Sequence, residues 1–170
     1  MWKHTGKQRP AFADRPGDGQ ESVWDYPRPP ALQASTDTVV VGEPHKPLAK
    51  TARAMRVLET ASPPTYYLPP DDVDCTQLVR TADQSFCEWK GVATYWALAA
   101  RPEAGPIAWS YDDPSERFRA IDDYFSFYPG RIACFVEGER VLPQPGQFYG
   151  GWVTRRIAGP FKGEPGSGHW

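Results

Sequence analysis

The chain is short of the residues that most often declare a chemistry. Its three cysteines, at 75, 87 and 134, make an odd count with no C-x-x-C pair. That argues against a disulfide framework and against a zinc knuckle built on paired thiols. Its three histidines, at 4, 45 and 169, are scattered and two lie near the ends, so neither a metal nor a cofactor is expected. No apolar run approaches the roughly 20 residues that a membrane-spanning helix needs. The first residues carry Lys3, His4, Lys7 and Arg9 with no apolar stretch after them, unlike a secretory signal. A formal charge of −2, with lysines and arginines dispersed, supplies no field that would draw a nucleic-acid backbone or an anionic membrane. A soluble, cytoplasmic protein is expected, with neither nucleic acid nor membrane as partner.

What the chain does have is proline, glycine and aromatics: 19 Pro, 15 Gly and 14% Phe, Trp and Tyr. The first two interrupt long helices, while the rings favour strands and large core contacts. A mainly β domain rich in turns follows, and 170 residues suit one such domain. Residues 1–20, with only Trp2 and Phe12 as bulky apolar groups, read as a flexible tail. The single domain then covers 21–170, as an arm over 21–36, a core over 37–142 and an extension rich in glycine and aromatics over 143–170.

Strand signals run along the core. Thr38–Val41 is β-branched and ends at Gly42; Thr51–Thr60 alternates well enough to be read as one strand; Tyr66–Leu68 stops at Pro69-Pro70. Phe86–Leu98, Ile107–Tyr111, Phe125–Tyr128 and Ile132–Val136 read as further strands, with a hairpin after the last. One short helix is expected over Ser115–Asp122, where Pro114 and Glu116 suit a helix start.

Several segments carry a family resemblance. Tyr66-Tyr67-Leu68-Pro69-Pro70-Asp71-Asp72-Val73, Cys87-Glu88-Trp89-Lys90-Gly91-Val92-Ala93-Thr94-Tyr95 and Ala108-Trp109-Ser110-Tyr111 with Pro114 resemble the DUF427 family. Arg53–Thr60, Phe148–Trp152 and Gly159–Gly163 are also similar to members, so the likeness runs over roughly residues 21–170. It implies a compact antiparallel β fold akin to the Mss4-like or β-tent folds, some of which hold zinc on paired cysteines that this chain lacks. The family also carries a nucleotidyltransferase-like label. Asp72 and Asp74 have the D-x-D spacing such an enzyme would use, but they sit in a proline-rich turn with no glycine–serine loop before it. Where the family has proline after the cysteine, this chain has Glu88. A carboxylate there would disfavour a thiolate at Cys87.

The candidate site centres on that second segment. In one straight strand Cys87, Trp89, Gly91, Ala93 and Tyr95 would share a face, with Glu88, Lys90, Val92, Thr94 and Trp96 on the other. Cys87 and Lys90 would then point apart unless a turn or bulge at Gly91 intervened. Cys87 reads as a small buried hydrophobe or a reactive thiol, Lys90 as a surface lysine or a polar ligand contact, and Glu59 as an ion-pair member or a general base. Tyr67, Trp89, Tyr95, Trp109 and Tyr111 are either core or an aromatic wall. The leading expectation is small-molecule binding in an aromatic-lined pocket with Lys90 as polar contact. The alternatives are an enzyme using Glu59, Cys87 and Lys90, or a structural or interaction domain that self-associates through Trp24, Tyr26 and the C-terminal aromatics.

Overall fold

A computed structural model describes all 170 residues, Met1–Trp170. The fold is mainly β and its three larger sheets are antiparallel. One four-stranded sheet joins Val39–Glu43 and Lys46–Thr51 to Cys134–Val136 and Glu139–Arg140. A second four-stranded sheet runs Leu78–Cys87, Gly91–Leu98, Pro106–Tyr111 and Ser126–Phe127. The third has three strands, with Met55–Leu58 between Ala31–Ala34 and Thr65–Tyr67. Two small pairings close the ends: Leu142–Pro143 with Trp152–Val153, and Glu21–Ser22 parallel to Ile157–Ala158. The short helix expected near 115–122 is Glu116–Ile121, of the tighter 3-10 type, and is the longest of five such turns. No helix is long and apolar enough to cross a membrane.

The stretch read as one strand over Thr51–Thr60 divides at Ala52–Ala54. Lys46–Thr51 stays in the first sheet, and Met55–Leu58 crosses to the third. A larger departure falls on Phe86–Leu98. This is a hairpin, with Cys87 paired to Gly91 across the three-residue loop Glu88–Trp89–Lys90. Gly91 has φ of +108°, which a side chain would resist, and that backbone freedom permits the tight return. Alternation along one strand therefore cannot place Cys87 and Lys90.

Period-two alternation sends neighbouring tyrosines into different cores. Tyr66 stacks on Trp152 at 4.9 Å between ring centres, within the largest cluster around Val39, Val41, Leu68 and Phe127. Tyr67 turns the other way, into a cluster with Val57, Ala93, Trp109, Tyr111, Phe118 and Ile121. A third cluster, Val23, Trp24, Tyr26, Leu58, Ala61 and Ile157, ties the arm to the C-terminal extension.

The first twenty residues lie against this third cluster, a path the composition did not announce. Phe12 stacks on Trp170 and meets Trp24 edge-on, both at 5.2 Å. Arg9 forms a two-pronged ion pair with Asp25, each bond 2.7 Å. Trp2 lies 4.0 Å from the Arg28 guanidinium and 5.0 Å from the Lys162 ammonium, so an aromatic face covers two cations.

Candidate functional site

The Glu88–Trp89–Lys90 loop is fastened from below by Ser115. The Ser115 hydroxyl donates to the Trp89 carbonyl at 2.7 Å, and its backbone N–H donates to the Lys90 carbonyl at 3.1 Å. So held, Lys90 folds inward, with its Nζ 5.6 Å from the Phe118 ring centre and 5.7 Å from that of Tyr111. The residue keeps only 8% of its surface.

Lys90 faces a cavity of about 330 Å³. Glu59 and Cys87 line it as well, as do Tyr67, Tyr95, Trp109 and Tyr111. The hairpin thus brings together Cys87 and Lys90, which straight-strand alternation had separated. Trp89 is the exception among the aromatics, since it packs half-buried on the outside of the Tyr67–Tyr111 cluster and does not line the cavity. Its neighbours in the loop decide this: consecutive residues of a tight turn diverge, so Lys90 pointing in sends Trp89 out.

Residues from the C-terminal extension complete the wall. Gln144, Phe148, Tyr149, Gly150 and Gly151 border the cavity. Gln144 fixes this segment, its carbonyl accepting from the Gly151 N–H at 3.1 Å and its amide donating to the Lys162 carbonyl at 2.6 Å. Gly150 passes so close to Trp109 that a Cβ there would fall 2.3 Å from the indole. Sequence reading missed Gln144 and the Gly150-Gly151 pair as wall. The signal available was that pair beside Trp152, which marks a backbone approaching something bulky.

Several of the polar groups are already engaged. The Tyr67 hydroxyl accepts from the Trp109 indole at 3.0 Å, and Tyr95 shares a 2.7 Å hydrogen bond with Ser85. Glu59 is paired with Arg28 at 3.2 Å, and Arg28 also donates to the His4 and Thr60 carbonyls. Lys90 has no ion-pair partner in the chain; it lines the cavity, with the Cys87 side chain as its hydrogen-bonding neighbour. Burial acts to push the Lys90 ammonium down and the neighbouring Tyr67, Cys87 and Glu59 act to push it up, the net direction being upward. Tyr67 and Tyr111 are pushed up, mainly by burial, so both stay neutral hydroxyls at physiological pH.

The other candidate residues lie elsewhere. Asp72 is held by Arg53 and by the Thr51 hydroxyl, and Asp74 caps its own turn through Thr76 and Gln77. Neither reaches the cavity, so the D-x-D spacing places no carboxylate pair beside Lys90. No three His, Cys, Asp or Glu side chains converge at metal-ligand spacing, so the residues present do not fit a zinc site.

The family described as a domain of unknown function, DUF427, matches residues 31–138, more than half of the chain. The chain belongs to the DUF427 family. The matched region holds the Glu88–Lys90 loop and the cavity's aromatic wall, and ends before the segment bearing Gln144 and Gly150. No curated protein matches the chain.

Proposed function

We propose that this DUF427 domain binds a small anionic molecule, with Lys90 as its polar contact and Tyr67, Tyr95, Trp109 and Tyr111 as the wall. One observation carries the reading: a lysine more than nine-tenths buried lines a cavity and has no ion-pair partner in the chain. Buried cations are as a rule paired, and an anion entering here would meet one already oriented by the Ser115-fastened loop. The cavity volume lies at the low end of the range of about 300–1,000 Å³ usual for small-molecule sites. The experiment is a thermal-shift and calorimetric screen of small carboxylates, phosphate and sulfate on the wild type and on Lys90→Met. Stabilisation by an anion that Lys90→Met abolishes supports the proposal; equal stabilisation of both proteins refutes it.

Glu59, Cys87 and Lys90 all line the same cavity, and this favours an enzymatic second reading. In that reading Lys90 polarises an anionic or carbonyl group, while the Cys87 thiol contributes chemistry. Glu59 is the weakest member, because it must first leave Arg28 to move a proton. Of the residues behind the self-association reading, Trp24 and Tyr26 are buried in their own chain. The finer fold assignment, to the Mss4-like or β-tent type, is supported by antiparallel sheets leaning on shared aromatic clusters. A cytoplasmic setting is supported by three free thiols.

A further inference from the structure

Lys162 is a second buried lysine without a counter-ion. It keeps 8% of its surface, forms no ion pair, and its ammonium makes no hydrogen bond. The backbone around it is clamped, its N–H donating to the Ala61 carbonyl at 2.8 Å and its carbonyl accepting from the Gln144 amide at 2.6 Å. Arg28 is buried too, with 1% of its side chain exposed. One ring covers both cations: the Trp2 ring centre lies 4.0 Å from the Arg28 guanidinium carbon and 5.0 Å from the Lys162 Nζ. The Tyr149 ring centre lies 5.6 Å from the same Nζ.

These two cations carry more donors than the chain gives them acceptors. Arg28 uses three of its five N–H bonds, on Glu59, His4 and Thr60, which leaves two. The Lys162 ammonium adds three more, and none of these finds an acceptor in the chain. Glu59 is the carboxylate in contact with the pair, and it is bound to Arg28. Glu88 acts on Lys162 from farther off, but it is exposed and forms no ion pair. Burial, then the Arg28 charge, holds the Lys162 ammonium below its ordinary range, against the opposing pull of Glu59 and Glu88. A cation so placed is stabilised by negative charge brought to it. A ring face offers it less than a hydrogen-bonded oxyanion does. Trp2 makes no hydrogen bond, lies outside every strand and is 36% exposed, so its ring can lift away without unpicking a sheet.

We infer that Arg28 and Lys162 form a second oxyanion site, which takes a carboxylate or phosphate group when the Trp2 indole lifts from them. The oxyanion accepts from the ammonium and from the two uncommitted guanidinium N–H bonds. Neither Arg28 nor Lys162 lines the Lys90 cavity, so this site stands whether or not Lys90 binds an anion.

The test follows the Trp2 indole N–H signal by NMR of the full chain during titration with sodium phosphate and with sodium acetate at constant ionic strength. The signal is identified by its absence from Trp2→Ala. At least one of the two anions is expected to move it saturably, and the tighter of them names the group that the site prefers. The shift should persist in Lys90→Met and in Lys162→Arg, and vanish in Lys162→Met, whose fold a thermal melt checks. Calorimetry in the Lys90→Met background adds a reading that needs no change at Lys162. There Trp2→Ala removes the cover and should tighten binding of the same anion about threefold. A Trp2 signal that stays put throughout both titrations overturns the inference, as does an equal shift in Lys162→Met. Binding weakened by Trp2→Ala would make the indole part of the site and overturn its role as a cover. A shift lost in Lys90→Met would assign the anion to the cavity alone, overturning this site and leaving the Lys90 reading intact. Conversely, a Trp2 shift that persists while anion stabilisation is indifferent to Lys90→Met refutes the cavity reading and supports this one.

Discussion

The Trp109 indole donates to the Tyr67 hydroxyl at 3.0 Å, joining the second sheet to the third directly behind the cavity. Both residues are buried, and their rings meet edge-on. Tyr67→Phe keeps the ring but leaves the indole N–H without an acceptor. The expected loss is about 1–3 kcal/mol, the cost of a buried unsatisfied donor. Urea unfolding with Trp fluorescence measures it, and an unchanged midpoint would mean that the indole finds water instead.

Stability is expected to decline in alkali. Burial is the foremost cause holding Tyr26, Tyr66, Tyr67, Tyr111, Tyr128 and the Cys134 thiol above their ordinary ranges. Each pKa is thus higher in the folded chain than in the unfolded one. Their contribution is complete below the unfolded values, about 8.5 for Cys and about 10 for Tyr, and is lost as pH climbs towards the folded ones. At about 1.4 kcal/mol per pH unit per group, unfolding midpoints should fall steeply between pH 9 and 11. Tyr111→Phe should remove roughly one proton from that slope. A flat profile over this interval would contradict the burial of these hydroxyls.

Gly150 is needed for closeness rather than for turning. A Cβ there would lie 2.3 Å from one Trp109 ring carbon and 2.7 Å from another, and the indole is held by Tyr67 and packed against Tyr128 at 4.6 Å. Gly150→Ala should therefore displace either the indole or the segment carrying Phe148. An overpacking loss of about 1–3 kcal/mol is expected, together with a shifted Trp emission maximum. Wild-type stability and spectrum would show that this segment yields freely.

The strands were legible where β-branched and aromatic residues sit between prolines and glycines, as at Val39–Glu43, Pro106–Tyr111 and Cys134–Val136. The mainly β class followed from the same composition. The loop Glu88–Trp89–Lys90 was not legible as a turn, because nothing in it but the following Gly91 carries a turn signature. The thirteen-residue run Phe86–Leu98, with strand-forming residues on both sides of the loop, reads as one strand until pairing partners are known. That single misreading set Cys87 and Lys90 on opposite faces and placed Trp89 in the wall. The wall from Gln144 to Gly151 was hidden for a different reason. It reaches the cavity through contacts about 35–95 residues away in sequence, as Gly150 to Trp109 and Gly151 to Pro63 illustrate, and no local pattern encodes such contacts.

The N-terminal segment offers a test of docking against disorder. Phe12 is half exposed, yet it contacts both Trp24 and Trp170. Aromatic pairs contribute about 0.5–1.5 kcal/mol each, so Phe12→Ala should lower stability by about 1–3 kcal/mol. Hydrogen exchange at the Asp14 amide, which donates to the Gly159 carbonyl at 2.8 Å, should accelerate in the same variant. A free tail would show neither effect, and the Asp14 amide would exchange as fast as in an unstructured peptide.

The three thiols give a direct reading of the cavity, because the fold places them in three environments. Cys75 is exposed, Cys87 borders the cavity, and Cys134 is fully buried with its thiol pushed up by desolvation. Thiol titration with an aromatic disulfide should resolve three phases. Cys75 should react first, although burial and the neighbouring Asp74 and Asp71 raise its pKa and slow it relative to a free thiol. Cys134 should react only as the protein unfolds. Cys87 is the informative one, since its access runs through the cavity that Lys90 faces. Saturation with an anion that binds at Lys90 should slow its modification tenfold or more and leave Cys75 unaffected. If Cys87 reacts at the same rate with and without such an anion bound, the thiol is reached from outside and the ligand does not occupy the space between Cys87 and Lys90. Applied to Lys90→Met, the same assay separates occupancy from chemistry. Loss of protection alone follows from loss of the anion contact, whereas a slower reaction of the unliganded variant would show that the ammonium promotes reaction at Cys87, the behaviour the catalytic reading requires.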